Sequence, residues 1–303
     1  MEHMGKKVTV FGSFVVDLMG RTPHLPAAGE TVKGTVFKMG PGGKGFNQGV
    51  AAHKAGADVT MVTKLGRDAF ADIALNTMNE LHMDTGRVLY SETTETGCAL
   101  IMVDENSSQN EIVVILGACN TITDQEVDSL EDLVGRSEYL LTQLETNVSS
   151  VERIVDIAYR KGVKVILNTA PVQPVSDDLL GKIDLITPNE VEAEILTGIK
   201  VDSEEAADKA ADWFFSKGVK NVLITLGHRG VYINTGEKKG IIPAYKVEAV
   251  DTTGAEGKNL WEAADFANAL AALSVQKIGT TPSMPVREEI DAFMAANCQT
   301  ADC

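Results

Sequence analysis

The segment YLLTQLETNVSSVERIVDIAYRKGVKVIL, residues Tyr139–Leu167, predicts a strand, a helix and a second strand in succession. Tyr139–Leu144 is a short apolar run, which is typical of a buried strand. Val148–Lys161 is predicted to be helical, and Gly162 ends that helix. Lys164–Leu167 is again apolar and β-branched, as strands are. Because a helix between two strands of one sheet usually makes them parallel, this segment favours the α/β class.

The same alternation of strands and helices extends over most of the chain. The other predicted strands of this kind are Val8–Gly12, Val59–Leu65, Asp184–Ile186, Val222–Thr225 and Val231–Ile233. The other predicted helices are Phe46–Ala57, Asp68–Leu81, Asp177–Lys182, Asn189–Thr197, Ser203–Lys217 and Leu260–Gln276. We therefore expect an α/β protein with a three-layer α/β/α core and a mostly parallel sheet.

Two regions depart from this rhythm and predict a small β lid. Residues 18–39 alternate and contain several prolines and glycines, which favours short strands joined by turns. Gly97–Val103 and Glu111–Leu116 flank a polar turn and predict a β-hairpin. The predicted division is a core of residues 1–17, 40–96 and 117–303, and a lid of residues 18–39 and 97–116. A cleft between the two would suit a small ligand.

Composition and charge exclude several classes of protein. The chain has 303 residues, of which 44% are hydrophobic and 23% charged, as in ordinary soluble globular proteins. It carries 27 Lys and Arg against 43 Asp and Glu, a net charge of −16, and shows no basic cluster for nucleic acid. No apolar run reaches the roughly 18 residues of a membrane-spanning helix. The cysteines form no C-x-x-C pair and the N-terminus has no signal region, so we expect a cytoplasmic protein.

The densest glycine signal is GPGGKGFNQ, residues Gly40–Gln48, directly before a predicted helix. Glycines at a helix N-terminus let a ligand approach backbone N–H groups, and Lys44 adds a positive charge. A turn alone would also explain the glycines. The segment is not a P-loop, and no G-x-G-x-x-G follows Gly12, which argues against a dinucleotide-dependent dehydrogenase.

Three further motifs follow predicted strands. Asp251–Ala255, DTTGA, is a turn of small residues that can direct N–H groups at an anion. Thr187–Glu192, TPNEVE, has Asn189 as a helix cap followed by two carboxylates, which either serve the helix dipole or hold a hydrated Mg²⁺ near phosphates. Thr225–Gly230, TLGHRG, predicts a strand end and a tight turn at the carboxyl edge of the sheet, where open α/β sheets bind ligands.

Together these motifs resemble those of the ribokinase-like, or PfkB-type, carbohydrate kinases, and they occur in that family's order over nearly the whole chain. The matching motifs are GS-x-x-x-D at Gly12–Asp17, GGKG-x-NQ at Gly42–Gln48, QLE at Gln143–Glu145, TPNE-x-E at Thr187–Glu192, TLG-x-RG at Thr225–Gly230 and DTTGA at Asp251–Ala255. The resemblance implies ATP-dependent phosphorylation of a sugar hydroxyl, closest to the conversion of D-ribose to ribose 5-phosphate. It also implies a homodimer formed through the β lid, with sugar and ATP as the small-molecule partners.

The resemblance further implies roles for individual residues. The implied sugar ligands are Asp17, Gly42, Gly43, Lys44, Asn47 and Glu145. The implied nucleotide contacts are Asn189, Thr225, Gly227, Gly230 and Asn268, the last near adenine. Glu192 would act indirectly on Mg²⁺, and a monovalent cation, K⁺, would be held by Asp251, Thr253, Gly279 and Ser283. Gly254 and Ala255 would be what remains of the anion hole.

Two departures from the family pattern bear on function. The family carries Asn where this chain has Val15, and valine cannot hydrogen-bond a sugar hydroxyl. A related pentose, a hexose or a nucleoside is therefore an alternative substrate to ribose.

The second departure concerns the catalytic base. The family motif continues from DTTGA to Gly-Asp, whose aspartate is the general base, whereas this chain continues Ala255-Glu256-Gly257-Lys258. About three helical turns are missing. Either the natural protein has the segment and the printed sequence lacks it, or the protein is a non-catalytic sugar- and nucleotide-binding pseudokinase, or Glu256 replaces the base. Loss of a buried helix would destabilise the fold by more than the roughly 5–15 kcal/mol free energy of unfolding of a typical domain, which favours the first alternative.

Overall fold

The computed structural model describes residues 5–107, 109–245, 260–277 and 281–297. Its strands are β1 (Lys7–Phe11), β2 (Val15–Thr22), β3 (Val36–Gly42), β4 (Asp58–Val62), β5 (Lys64–Leu65), β6 (Leu89–Tyr90), β7 (Thr96–Asp104), β8 (Asn110–Gly117), β9 (Tyr139–Gln143), β10 (Lys164–Asn168), β11 (Leu185–Ile186), β12 (Val222–Thr225), β13 (Val231–Asn234) and β14 (Lys239–Ile242). Its helices are α1 (Lys44–Lys54), α2 (Ala69–Glu80), α3 (Asp124–Asp128), α4 (Glu131–Val134), α5 (Val148–Lys161), α6 (Asp177–Leu180), α7 (Glu190–Thr197), α8 (Glu204–Ser216), α9 (Leu260–Ser274) and α10 (Arg287–Asn297).

The main sheet has eight strands in the order β14-β13-β12-β11-β10-β9-β1-β4. The pairs from β4 through β1, β9, β10 and β11 to β12 are all parallel. Strands β13 and β14 extend this sheet as antiparallel neighbours. The predicted α/β class and mostly parallel sheet are confirmed.

Apolar side chains from both faces of the main sheet build the three layers. On β1, Val10 packs with the cluster that contains α1, α2, α9 and α10, whereas its neighbour Phe11 packs with the cluster of α5 and α8. Successive residues of a strand point to opposite faces, so this division places helices on both sides of the sheet. Among the described helices, none is both long and apolar enough to cross a bilayer.

A second sheet, which we call the small sheet, contains β3, β2, β7 and β8 in that order. Strands β7 and β8 form the predicted hairpin, and β2 pairs with β7 in parallel. The strands extend beyond the predicted limits of 18–39, because β2 already begins at Val15 and β3 continues to Gly42. Asp17 and Gly42 therefore lie on strands of the small sheet. The C-terminal end of β3 leads directly into α1.

Several element limits differ from the sequence prediction. Helix α1 ends at Lys54 rather than at residue 57, since Gly56 adopts a φ of 101° that a helix cannot continue. The strand predicted over 59–65 is divided, because Lys64–Leu65 pairs with Leu89–Tyr90 instead of β1. Helix α10 was not predicted, although the spacing of Ile290, Phe293 and Met294, which pack in the core, is a helical signal.

Candidate active site

The site begins where the end of β1 meets the start of α1. A Cβ on Gly12 would lie 2.8 Å from the Cα of Gly45, and a Cβ on Gly45 would lie 2.6 Å from the Cα of Gly12. Neither position admits a side chain, because real Cβ atoms do not approach backbone so closely. The glycines of the GS and GGKG motifs therefore bring the carboxyl end of β1 against the N-terminus of α1.

Gly43 is the residue from which α1 starts, with a φ of 92°. A Cβ there would meet the Cα of Phe14 and the carbonyl oxygen of Ser13, each at 2.9 Å. L-residues with side chains rarely adopt this backbone conformation. The predicted glycine-rich loop is thus required by the fold, whatever ligand it binds.

Glu145 follows β9 and is 5% exposed, and it anchors the first turn of α1. Its Oε2 accepts a hydrogen bond from the Lys44 N–H at 2.8 Å and another from the Ser13 hydroxyl. A carboxylate at this position also interacts favourably with the positive end of the helix. Within the described residues no hydrogen bond uses Oε1, so that oxygen alone could serve the predicted sugar contact.

Asp17 reaches the same loop from the small sheet. Its carboxylate oxygens lie 2.3 and 2.4 Å from the position that a Cβ on Gly42 would occupy. Any residue larger than glycine at 42 would displace Asp17. The structure therefore brings together Asp17, Gly42, Gly43 and Glu145, which come from three separate motifs.

Asn47 and Lys44 complete the predicted sugar ligands. Asn47 is 7% exposed, and its Oδ1 accepts a hydrogen bond from the Thr281 hydroxyl at 3.0 Å. The Lys44 side chain is half-buried, and among the described residues its ammonium has no ion-pair partner. Thr281 was not predicted, and the sequence carries no signal for a contact over 234 residues.

Val15 lies beneath this group at 2% exposure, paired with Gly42 on β3 and Gly97 on β7. Its side chain offers neither a donor nor an acceptor. Cys119 lies close by, where its thiol contacts Phe14 and Thr63, and burial raises the pKa of the thiol. A buried thiol with a raised pKa is a poor nucleophile, so Cys119 acts here as a packing residue.

The second part of the site lies at the start of α7, and here Asn189 is confirmed as a helix cap. Its side chain accepts from the Glu192 N–H at 2.8 Å, while Glu192 Oε2 accepts from the Asn189 N–H at 3.0 Å. The Thr169 hydroxyl donates a second hydrogen bond to that Oε2 at 3.1 Å. The helix cap thus already uses one oxygen of Glu192, and the predicted role towards Mg²⁺ would fall to the other.

The TLGHRG motif forms the end of β12 and a tight turn, as predicted, and it lies next to this cap. Thr225 pairs with Asn189 through an isolated bridge, and its N–H donates to Pro188 at 3.0 Å. Gly227 has a φ of 55° with open space around its Cα. At Gly230 a Cβ would lie 2.1 Å from the Ile242 carbonyl oxygen, so this glycine admits the neighbouring strand.

Arg229 connects the TLGHRG turn to the start of α7 and to the segment before α8, a role that the sequence analysis missed. Its guanidinium pairs with Glu190 and donates to the carbonyl oxygens of Val201 and Asp202 at 3.2 and 3.1 Å. Asn268 donates to the carbonyl oxygens of Ile242 and Pro243 at 3.4 and 3.3 Å. Arg229 therefore joins the start of α7 to the segment before α8, and Asn268 joins α9 to the end of β14.

The remaining predicted residues concern the anion hole and the monovalent cation. Ser283 is buried in the turn Thr281–Ser283 beside α1. The other members, Asp251, Thr253, Gly254, Ala255 and Gly279, lie outside the described residues. No group of three or more His, Cys, Asp and Glu side chains suited to a metal occurs in the part of the chain that the structure describes.

Known proteins resemble this chain over nearly its whole length. A model of the pfkB family carbohydrate kinases matches residues 5–287. The ribokinase of Haemophilus influenzae is 41% identical over 304 aligned positions, which cover 96% of this chain and 99% of that protein. The deoxyribokinase of Salmonella typhimurium is 34% identical over 304 positions, covering 96% and 99%.

A solved structure of Arabidopsis thaliana ribokinase, complexed with ribose and ATP, has a TM-score of 0.87 against this chain. It is 29% identical, and the match covers 96% of this chain and 99% of that one. The likeness therefore extends over both the main sheet and the small sheet. The chain belongs to the pfkB family of carbohydrate kinases.

Proposed function

We propose that this protein transfers the γ-phosphoryl group of ATP to a hydroxyl of a pentose, with D-ribose as substrate and ribose 5-phosphate as product. The observation that carries the proposal is the placement of Asp17, from the small sheet, against the Gly42–Gly43 loop at the start of α1. Several curated relatives that match nearly the whole chain are named ribokinase. The proposed compartment remains the cytoplasm.

The proposed sugar ligands differ in whether they accept or donate hydrogen bonds. The Asp17 carboxylate accepts hydrogen bonds from sugar hydroxyls, whereas the Asn47 amide and the Lys44 ammonium donate them. Thr225 at the end of β12, with Asn189 at the α7 cap and Gly227 in the adjoining turn, would bind the nucleotide, and Asn268 would lie near adenine. In phosphoryl transfer most of the catalytic effect comes from such positioning and from charge stabilisation.

Mg²⁺ would neutralise phosphate charge when bound with ATP. Glu192 fits that ion only as a distant partner, since one of its oxygens serves the α7 cap. This donor set is compatible with Mg²⁺, which keeps several waters and takes few protein ligands. K⁺ remains a proposal for the residues around Ser283.

The attacking hydroxyl must lose a proton, and the family's aspartate base is absent from the printed sequence. We favour a natural protein that has the segment after Ala255. The alignment with the Haemophilus influenzae relative spans 304 positions, which is more than the 96% of this 303-residue chain that it covers. That relative therefore has residues without a counterpart in this chain. Intact-mass spectrometry tests the first alternative: a mass above 32.4 kDa supports the segment, whereas a mass at 32.4 kDa means that the deletion is real. In that case phosphorylation of a sugar supports Glu256 as the base, and sugar binding without phosphorylation supports the pseudokinase.

A second candidate substrate is 2-deoxyribose. Val15 is buried where the family carries Asn, and an apolar side chain favours a sugar that lacks a hydroxyl at the facing carbon. A relative at 34% identity is named deoxyribokinase. Comparison of kcat/KM for ribose, 2-deoxyribose, hexoses and nucleosides ranks these substrates.

The central test replaces the acceptor, Asp17→Asn. The variant keeps the size of the side chain but loses the charge, so we expect kcat/KM for the preferred pentose to fall by about 100-fold or more, the loss of roughly 3 kcal/mol. The KM for ATP should change little. If the natural protein proves inactive, sugar binding by calorimetry replaces the kinetic readout. No phosphorylation and no binding of any sugar by the wild type would contradict the proposal.

A homodimer through the small sheet is also proposed. Its strands expose many large apolar side chains, which soluble monomers rarely group together. These are Val36, Phe37, Met39, Leu100, Ile112, Val113, Val114 and Ile115, between 41% and 69% exposed.

A further inference from the structure

The Asn47 amide has a defined partner on one side only. Its Oδ1 accepts a hydrogen bond from the Thr281 hydroxyl at 3.0 Å, and both residues are buried. Within the described residues no hydrogen bond uses the Asn47 Nδ2. The amide therefore has its acceptor engaged and its two N–H donors available.

In the structure the Thr281 hydroxyl donates to the oxygen of this amide. A hydroxyl has one proton to donate, and two acceptors lie within its reach: Asn47 Oδ1 at 3.0 Å and the Pro41 carbonyl oxygen at 3.4 Å. The shorter distance favours the amide oxygen. With Oδ1 held towards the Thr281–Ser283 turn, the NH₂ group faces away from that turn.

The turn that carries Thr281 is itself held from the other end of α1. The Lys54 ammonium donates to the carbonyl oxygens of Met284 at 2.8 Å and Thr281 at 3.5 Å. Burial lowers the pKa of Lys54, which reflects the cost of keeping a charge there. Two contacts from α1, one near each end, thus fix the position of the Thr281 hydroxyl.

The geometry points to Thr281 as a positioning residue for the sugar: its hydroxyl holds the Asn47 amide oxygen, so that the amide NH₂ is presented to a substrate hydroxyl. This inference rests on the proposed function, in which Asn47 is a sugar ligand. An ionised Asp17 carboxylate only accepts hydrogen bonds, so a fixed donor at Asn47 would add the complementary kind of contact to a sugar hydroxyl. Without Thr281 the amide could turn and present its oxygen, which repeats what Asp17 already offers.

The test compares Thr281→Val, which keeps the shape but removes the hydroxyl, with Thr281→Ser, which retains it. Calorimetric titration with D-ribose and 2-deoxyribose gives the sugar Kd, and titration with ADP gives the nucleotide Kd. We expect T281V to raise the Kd of the preferred sugar about five- to tenfold, the effect of one hydrogen bond. T281S should restore the wild-type value, and the ADP Kd should stay unchanged in both variants.

A double-mutant cycle shows whether Thr281 acts through Asn47. In an Asn47→Ala background, T281V should have no further effect on the sugar Kd, because the amide it orients is gone. Thr77→Val is the matched control, since the Thr77 hydroxyl donates to the Ile73 carbonyl oxygen of its own helix at 2.8 Å and makes no other hydrogen bond within the described part of the chain. T77V should bind sugar as the wild type does.

Several outcomes would overturn the inference: a wild-type sugar Kd in T281V, failure of T281S to restore binding, an equal loss of ADP affinity, or additive effects with N47A. If T281V does not fold, the same titrations are made with Thr281→Ala, which also lacks the hydroxyl, and compared with T281S. If the wild type binds no sugar at all, the proposed function fails first. If it binds sugar and T281V binds equally well, only the positioning role fails.

Discussion

At residue 43 the backbone requires glycine for two reasons that act together. The φ of 92° disfavours any side chain, and a Cβ would lie 2.9 Å from the backbone of Phe14 and Ser13. Gly40, three residues earlier on β3, has neither constraint, since a Cβ there would meet nothing within 4 Å. The two glycines look alike in the sequence, and only their surroundings distinguish them.

We therefore expect Gly43→Ala to destabilise the protein by about 3 kcal/mol, from backbone strain and overpacking, and to weaken sugar binding. Gly40→Ala should change stability by less than about 1 kcal/mol. Urea denaturation followed by circular dichroism measures both. Equal midpoints for the two variants would show that the contact with Phe14 and Ser13 does not constrain residue 43.

At the scale of the element, α7 begins with a reciprocal cap between Asn189 and Glu192 that Thr169 reinforces. A glutamine in place of the glutamate can still form this kind of cap, whereas it has no negative charge to attract a cation. The substitution Glu192→Gln therefore separates the structural role from the role towards Mg²⁺.

For E192Q we expect a thermal midpoint close to wild type and a rise of about tenfold in the Mg²⁺ concentration needed for half-maximal ATP-dependent activity or nucleotide binding. Asn189→Ala removes the cap and should lower the free energy of unfolding by about 1 kcal/mol. Differential scanning fluorimetry and Mg²⁺ titration give the two readouts. An E192Q protein with normal Mg²⁺ dependence would leave Glu192 as a capping residue alone.

For the whole molecule, the exposed apolar side chains of the small sheet predict a dimer. Size-exclusion chromatography with light scattering should give twice the mass that intact-mass spectrometry gives for the single chain. Val113→Glu places a charge in this surface, on β8, and should shift the protein towards monomer. Val191→Glu is the control, because Val191 is comparably exposed, at 64%, but lies on α7. A monomeric wild type, or a V113E protein that remains dimeric, would contradict this prediction.

Local patterns predicted much of the fold. Helix α5 was predicted over Val148–Lys161, and it has those limits with Gly162 in the left-handed conformation at its end. The hairpin of β7 and β8 was predicted equally well, because a polar turn between two apolar runs is a local signal. Short elements such as α3 and α4 and the division of the 59–65 strand were missed, since these depend on which neighbours the chain finds.

The sequence by itself determined the α/β class, the small sheet and the motifs that mark the family, because residue periodicity, glycines and helix caps act within a few neighbouring residues. Only the tertiary structure decided how the site residues are used. One oxygen of Glu145 anchors α1, Arg229 binds the start of α7, and Thr281 reaches Asn47 across 234 residues. Such contacts depend on how distant segments pack around a common core, and no local pattern encodes them.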